Sequence, residues 1–492
     1  MGKRLLFYMS AFLLMFGGGA ATAVEYEGYT NPAGDNFPII AFDNVGISVT
    51  KNGKPLTEAQ QKAYFDTLKL AGFNVELWDK GDVYYKTWIN KWAPYIRSLG
   101  MNTIISSQGN ALTRSKIPWD ASTPDSILLK DNWDGLRTVI SNYRNDPYVW
   151  GYWVLDEPSM TNLHKPAYEL NTNEVAIIPT LDMVNQFKGS KVAIVNLAAA
   201  ASEDWIGHFA TDNENNTYIE NYENFLDHMV DVLDLKFMSF DFYPVIHHES
   251  KYGPGWAIKP SYYNFMDCYG RYCRDKKIPV WLTMLSVEHC SYDANGVLEW
   301  EYPEITAGLL RMQAMNGLAF GMKGLIYWVY GAENKMSGTM QFKSALYDIS
   351  KMATTPAWNY ARNVNYEVAQ YAGYLKDATY DKACLAYSDS TLHFDGFEKF
   401  SGSFECVDWI TYNNKGVLLS HFTSDDGDYL AVVNQDYVNS QRVTISFNRR
   451  NVNRLIISYQ AEMSAIDIPE IIPLPMSETV TLNPGGMVLY KY

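Results

Sequence analysis

The apolar run Val149-Trp150-Gly151-Tyr152-Trp153-Val154-Leu155 passes directly into Asp156-Glu157-Pro158. A buried strand that ends in two acids presents carboxylates at its C-terminal end. Carboxylates held at such an end are suited to general acid and base work. Neighbouring strand residues point to opposite faces. One of the two, Glu157, is therefore expected to face a pocket as the proton donor, with Asp156 as an accessory contact. The competing reading is a capping turn, because acids and proline favour a helix N-terminus. Two further acids close later apolar runs. Asp241 lies in Ser239-Phe240-Asp241-Phe242-Tyr243-Pro244, and Glu288 follows Val280-Trp281-Leu282-Thr283-Met284-Leu285 by three residues. Asp43, Glu76 and Asp79 also sit near strand ends and read as structural ion-pair partners.

Placing these acids together requires elements of a particular kind. Eight short apolar segments read as strands: Phe37–Asn44, Phe73–Trp78, Asn102–Ser107, Val149–Leu155, Val192–Leu197, Phe237–Phe242, Val280–Leu285 and Leu325–Val329. Their near-continuous apolar character suits a parallel sheet covered on both faces. Helical periodicity separates them at Ala59–Ala71, Lys86–Leu99, Trp133–Tyr143, Tyr218–Leu235 and Thr306–Ala319. Gly72 and Gly100 stand where helix-ending glycines belong. Eight such units in about 300 residues predict an α/β fold, a (β/α)₈ TIM barrel, with a doubly wound open sheet as the competitor. The long segments Ala111–Lys130 and His247–Lys259 follow strands, where a barrel builds its site. From about Cys384 onward, short strands with turn signals predict a C-terminal antiparallel β-sandwich. The expected division is a leader at 1–23, the barrel at 24–375 and the sandwich at 376–492.

The leader reading rests on Lys3 and Arg4, an apolar stretch from Leu5 to Phe16, and a small-residue segment ending at Ala23. The stretch is too short to span a bilayer, so export to the periplasm or the cell exterior is expected, with no integral membrane segment after cleavage. The chain carries 40 Lys+Arg against 55 Asp+Glu, and loss of Lys3 and Arg4 takes its charge from −15 to −17. That sign excludes an ordinary nucleic-acid binder. Five cysteines leave at least one thiol unpaired, and Cys384 with Cys406 is a possible bridge. No CxxC, phosphate loop, dinucleotide fingerprint or G-x-S-x-G elbow is present. No cofactor is expected. His247, His248, Glu249 and His289 match no metal spacing, so no metal is expected and loop or ligand contacts are.

The segment Asp156-Glu157-Pro158 resembles the fourth-strand motif of barrel glycoside hydrolases related to clan A, often Asn-Glu-Pro in that group. Leu310–Gly321 followed by Gly324-Leu325-Ile326-Tyr327-Trp328 resembles their last helix and strand. The resemblance spans most of residues 37–330. It implies a poly- or oligosaccharide as partner and Glu157 as the acid that protonates the glycosidic oxygen. It also implies a nucleophilic glutamate ending the seventh strand. Thr283 or Met284 occupies that position here, so Glu288 and Asp241 are the two candidates for the second carboxylate. Tyr243, Trp328 and Trp78 are the expected sugar contacts among the 14 Trp, 36 Tyr and 22 Phe, a composition that fits either an aromatic core or a stacking groove. Asn196, Gln108, Asn110, Glu333 and His289 are expected to read hydroxyls. The alternative is a carbohydrate-binding barrel without catalysis, favoured by the missing seventh-strand acid.

Overall fold

In the computed structural model the chain is described at residues 29–43, 50–51, 54–79, 85–107, 111–114, 128–158, 165–172, 174–198, 217–332, 334–388, 396–412, 415–448, 455–458, 470–472 and 477–492, with short pieces between them. The leader lies outside the described residues. Eight parallel strands close a barrel: β1 Ile39–Asp43, β2 Val75–Trp78, β3 Asn102–Ser106, β4 Val149–Asp156, β5 Val192–Ala198, β6 Met238–Asp241, β7 Val280–Leu285 and β8 Gly324–Trp328. Closure is made by β1 against β8, with Ile39 beside Leu325 and Ala41 beside Tyr327. The strands are buried almost throughout, which is why they read as unbroken apolar runs rather than alternating ones.

Helices α1 Glu58–Leu70, α2 Tyr85–Ser98, α3 Lys130–Tyr143, α4 Ile177–Phe187, α5 Tyr218–Leu233, α6 Tyr262–Lys276 and α7 Ala307–Ala319 lie between the strands, and α8 Pro356–Leu375 follows β8. Gly72 and Gly100 take φ of 82° and 75° directly after α1 and α2. The next amides then turn back onto helix carbonyls, Phe73 N to Leu68 O and Met101 N to Ile96 O, both at 3.2 Å. That geometry needs the left-handed conformation glycine adopts freely. The sequence reading missed α4. It placed Cys268 and Cys273 in a helix without giving bounds, and both lie on the buried face of α6.

Two antiparallel sheets follow α8. One runs Thr379–Ala386, Val417–Thr423, Tyr429–Asn434, Met487–Lys491, Leu455–Ser458, Glu470–Ile472 in spatial order, and the other joins Val407–Thr411, Gln441–Phe447 and Ser477–Leu482. Leu419, Val432 and Val488 of the larger sheet pack with Val443, Ile445 and Val480 of the smaller one. The alternate residues Leu418, Val433 and Leu489 join the core of the barrel. The larger sheet is therefore covered on both faces, by its sister sheet and by the barrel helices.

Helix α7 lies in this joint and is buried on nearly all sides. Its Asn316 exchanges two hydrogen bonds with Gln435, at 3.0 and 2.9 Å. Arg311 makes a forked pair with Glu367 of α8 at 2.8 and 2.9 Å and donates to the Pro484 carbonyl at 3.1 Å. All five cysteines are buried free thiols, so the suggested Cys384–Cys406 bridge is not formed. Both thiols are packed as small apolar groups in the sandwich core.

Candidate active site

The acid pair at the end of β4 is set by a local irregularity. The register of β4 against β5 shifts between Trp153 and Leu155, after which Asp156 lies beside Asn196. The Glu157 amide donates to the Asn196 carbonyl at 2.9 Å, and Glu157 takes φ of 42°. A residue with a Cβ is held in that left-handed region at a cost on the order of 1 kcal/mol or more. The turn breaks the strand alternation. Asp156 and Glu157 therefore both border the cavity at the C-terminal end of the barrel, where a single acid was expected.

That cavity has a volume of about 330 Å³. Asp241, the last residue of β6, borders it as well, near enough to Glu157 for the two charges to act on each other. Enclosure by protein, together with the charges of Glu157 and Asp156, holds the Asp241 carboxyl well above the ordinary carboxylate range. Burial also raises Asp156, to about 6, against an opposing hydrogen bond from Asn196.

Asn196 organises these acids. Its Nδ2 donates to Asp156 Oδ1 at 2.9 Å and to Asp241 Oδ1 at 3.3 Å. Its Oδ1 accepts from Ser239 Oγ at 2.8 Å and from Thr283 Oγ1 at 3.4 Å. Thr283 occupies the seventh-strand position where the resemblance calls for a glutamate, and its hydroxyl serves this network instead.

Aromatic rings form the walls. Trp328 and Tyr243 stack at 5.8 Å with planes 18° apart, and both border the cavity. A four-stranded antiparallel sheet built from the segments after β7 and β8 adds His289, Trp300, Tyr302 and Met340. The segment after β6 is tied to it by reciprocal hydrogen bonds between His247 and Glu301, both at 2.9 Å. His289 is 3% exposed, and burial lowers its imidazole to about 4. Its Nδ1 lies 3.1 Å from the Val287 carbonyl, which can only accept. Nδ1 therefore carries the proton and Nε2 is left as an acceptor.

Several expected residues lie elsewhere. Glu288 does not border the cavity: its charged neighbours are Lys343, Glu301 and Glu304. It comes three residues after β7, too late to point along the barrel axis, so Asp241 rather than Glu288 meets Glu157. Trp78 is 1% exposed and packs in the barrel core away from the cavity. Asp43 and Glu76 are both fully buried, and burial together with the Asp43 charge holds the Glu76 carboxyl well above the ordinary carboxylate range. Gln108, Asn110 and Glu333 lie outside the described residues. Among the described residues the histidines weighed as metal ligands do not converge. His247 Nδ1 is 3.9 Å from Glu301, His248 lies 3.2 Å from Ser250, and His289 is turned onto the Val287 carbonyl.

The sequence reading missed Lys259, Trp300 and Tyr302. The stretch Leu298-Glu299-Trp300-Glu301-Tyr302 does alternate apolar and acidic residues, a strand signal in the right place. Lys259 gave no comparable signal.

No family model matches the sequence, and no curated protein is similar to it. Among solved structures, a β-galactosidase from Bacillus circulans sp. alkalophilus superposes with a TM-score of 0.54 at 7% identity, over 93% of this chain and 99% of that one. A family 39 glycoside hydrolase from the gut symbiont Bacteroides cellulosilyticus WH2 gives 0.46 at 12% identity, over 93% and 82%. A β-galactosidase from the psychrophilic Marinomonas ef1 gives 0.44 at 10% identity, over 68% of this chain and 60% of that one. The chain thus spans less than two thirds of the Marinomonas protein. The first likeness shows a shared fold. This protein is a (β/α)₈ barrel followed by an antiparallel β-sandwich, an architecture it shares with that galactosidase.

Proposed function

We propose that the protein is an exported glycoside hydrolase that cleaves O-glycosidic bonds of a poly- or oligosaccharide. The observation that carries this reading is the convergence of the Glu157 and Asp241 carboxyls, from the ends of β4 and β6, on one cavity walled by Trp328, Tyr243 and Tyr302. Burial and the neighbouring charges favour the protonated form of Asp241. A glycosidic oxygen entering at Glu157 draws that proton from Asp241 to Glu157, which delivers it to the oxygen as the general acid. Asp241, ionised by that transfer, faces the anomeric carbon either as nucleophile or through a water it deprotonates. Glycosidases flank the bond with two carboxyls about 5–5.5 Å apart for retention and about 6.5–9.5 Å for inversion. Opening of the pair around substrate sets which applies. Export rests on the leader read in residues 1–23.

The test is turnover on a broad glycan panel by the unmodified protein and by Glu157→Gln, with product anomers followed by NMR. Hydrolysis is expected for the first and a loss of about 10²-fold or more for the second. Full turnover in Glu157→Gln removes the mechanism. A second reading, a carbohydrate-binding barrel without catalysis, is favoured by Thr283 standing in place of a seventh-strand acid. Saturable glycan binding with no cleavage by the unmodified protein would select it.

A further inference from the structure

Lys259 is 6% exposed and borders the same cavity as the acids. Its backbone is fixed at both polar atoms: its amide donates to the Pro244 carbonyl at 2.9 Å, and its carbonyl accepts from Tyr262 N at 3.0 Å. The side chain is thus delivered from the turn before α6 onto two aromatic faces. Nζ lies 5.3 Å from the Phe242 ring centre and 5.2 Å from that of Tyr302. Its hydrogen-bond partner is a neutral group, Tyr302 Oη at 3.0 Å. Among the described residues no carboxylate lies within ion-pair distance of it, although the charges of Asp241 and Glu157 act on it. Burial holds the ammonium down to about 8, so it is charged near neutral pH and incompletely solvated.

A buried ammonium with three donors and one neutral partner is costly unless something else satisfies it. Were Lys259 a counter-ion for the catalytic acids, it would sit against one of them. Asp156 and Asp241 are instead served by Asn196. Tyr302 uses its lone pair to accept from Nζ, so its own hydroxyl proton remains free to donate. The result is two donors side by side, one cationic, with their heavy atoms 3.0 Å apart. A carboxylate, with two oxygens on one carbon, can accept from both at once, and charge-assisted bonds of this kind are the stronger ones. Tyr243, whose ring meets that of Tyr302 edge-on at 5.4 Å, leads from this corner to the stacked Trp328.

We propose that Lys259 and Tyr302 form a carboxylate-recognising subsite, and that the sugar bound in this cavity is a uronic acid. The assignment rests on the glycoside-binding reading of the cavity and narrows its substrate class. His289 complements it, since its Nε2 acceptor suits a neighbouring hydroxyl.

Binding of free sugars tests this independently of cleavage. Saturation-transfer NMR titrations at pH 6.5 would use D-glucuronate and D-galacturonate, each beside its neutral parent, D-glucose or D-galactose, with D-glucose 6-sulfate as a second anion. At least one uronate is expected to bind about tenfold or more tightly than its parent, a difference typical of one charge-assisted contact. Lys259→Met should bring that pair to parity, and Lys259→Arg should keep part of the preference. Circular dichroism and melting confirm that each variant is folded. Absence of saturable uronate binding, a uronate preference that survives Lys259→Met, or a stronger response to the sulfate overturns the assignment. Uronate preference without hydrolysis of any uronide would sink the hydrolase reading alone and leave the subsite standing.

Discussion

Ser239 determines which way the Asn196 amide faces. Its hydroxyl donates to Asn196 Oδ1 at 2.8 Å, so the Asn196 NH₂ group is turned toward Asp156 and Asp241. A carboxylate that accepts such a bond is stabilised in its charged form. Replacing Asn196 by Leu removes it, and the Asp156 titration should move up from about 6. Carboxyl ¹³C chemical shifts followed against pH would report this. An unmoved or lowered midpoint would show that Asn196 has no hold on the acid.

Glu157 and Asp241 border one cavity and the Glu157 charge acts on Asp241, which implies that the pair works as a unit. Asp241→Asn should lower kcat by about 10²-fold or more. The double variant with Glu157→Gln should be little worse than the poorer single one, because residues that share one task lose it once. Fully multiplicative losses would mean that the two act separately. Glu288→Gln, whose change falls outside the cavity, should leave turnover near that of the unmodified protein.

His289 predicts a pH-dependent stability. An imidazole in the unfolded chain titrates near 6.5, whereas burial lowers the folded group to about 4. Between those values the unfolded chain binds a proton that the folded chain does not. The stabilisation is therefore complete above about pH 6.5 and is lost as pH falls toward 4, with a full size on the order of 3 kcal/mol. Asp156, raised to about 6, works in the opposite sense, favouring the folded state at the low end of the window. The difference in melting temperature between the unmodified protein and His289→Gln isolates the histidine. It should narrow from pH 7 to pH 4, and a constant offset would refute the assignment.

Gly308 predicts how tightly the barrel and the C-terminal sheets are joined. A methyl group there would sit 2.0 Å from the Tyr437 carbonyl oxygen and 2.8 Å from Pro484 Cβ. Neither is the free end of a flexible side chain, so the joint must open to admit it. Gly308→Ala should cost about 1–3 kcal/mol, as overpacking typically does. Denaturant unfolding measures this, and unchanged stability would mean that the two layers slide freely. Its helix propensity would otherwise favour alanine at that position, which sharpens the contrast.

The barrel was legible because each β-strand carries its own burial. An unbroken apolar segment such as Val280–Leu285 needs both faces covered, and eight of them with helices between leave few arrangements. Asp156, Glu157 and Asp241 were legible for the related reason that they end such segments. Trp78 ends one too, yet it is buried in the core, because strand-end position does not reveal which way a large ring turns. The second layer of the site carried only the alternation of Leu298–Tyr302, which marks a strand but not its partners. The sheet carrying His289, Trp300 and Tyr302 forms only by pairing segments from different connections, and its register depends on partners far apart in the chain.

The sequence by itself determined the eight strands, the terminal sandwich and the acids at the strand ends, since these follow from local pattern and period. Only the tertiary structure decided that Asp241 rather than Glu288 meets Glu157, because that choice depends on how far past β7 the chain travels before it turns. It alone brought Lys259 into the cavity beside Tyr302. A buried charge is placed by what surrounds it, and its surroundings come from three separate segments of the chain.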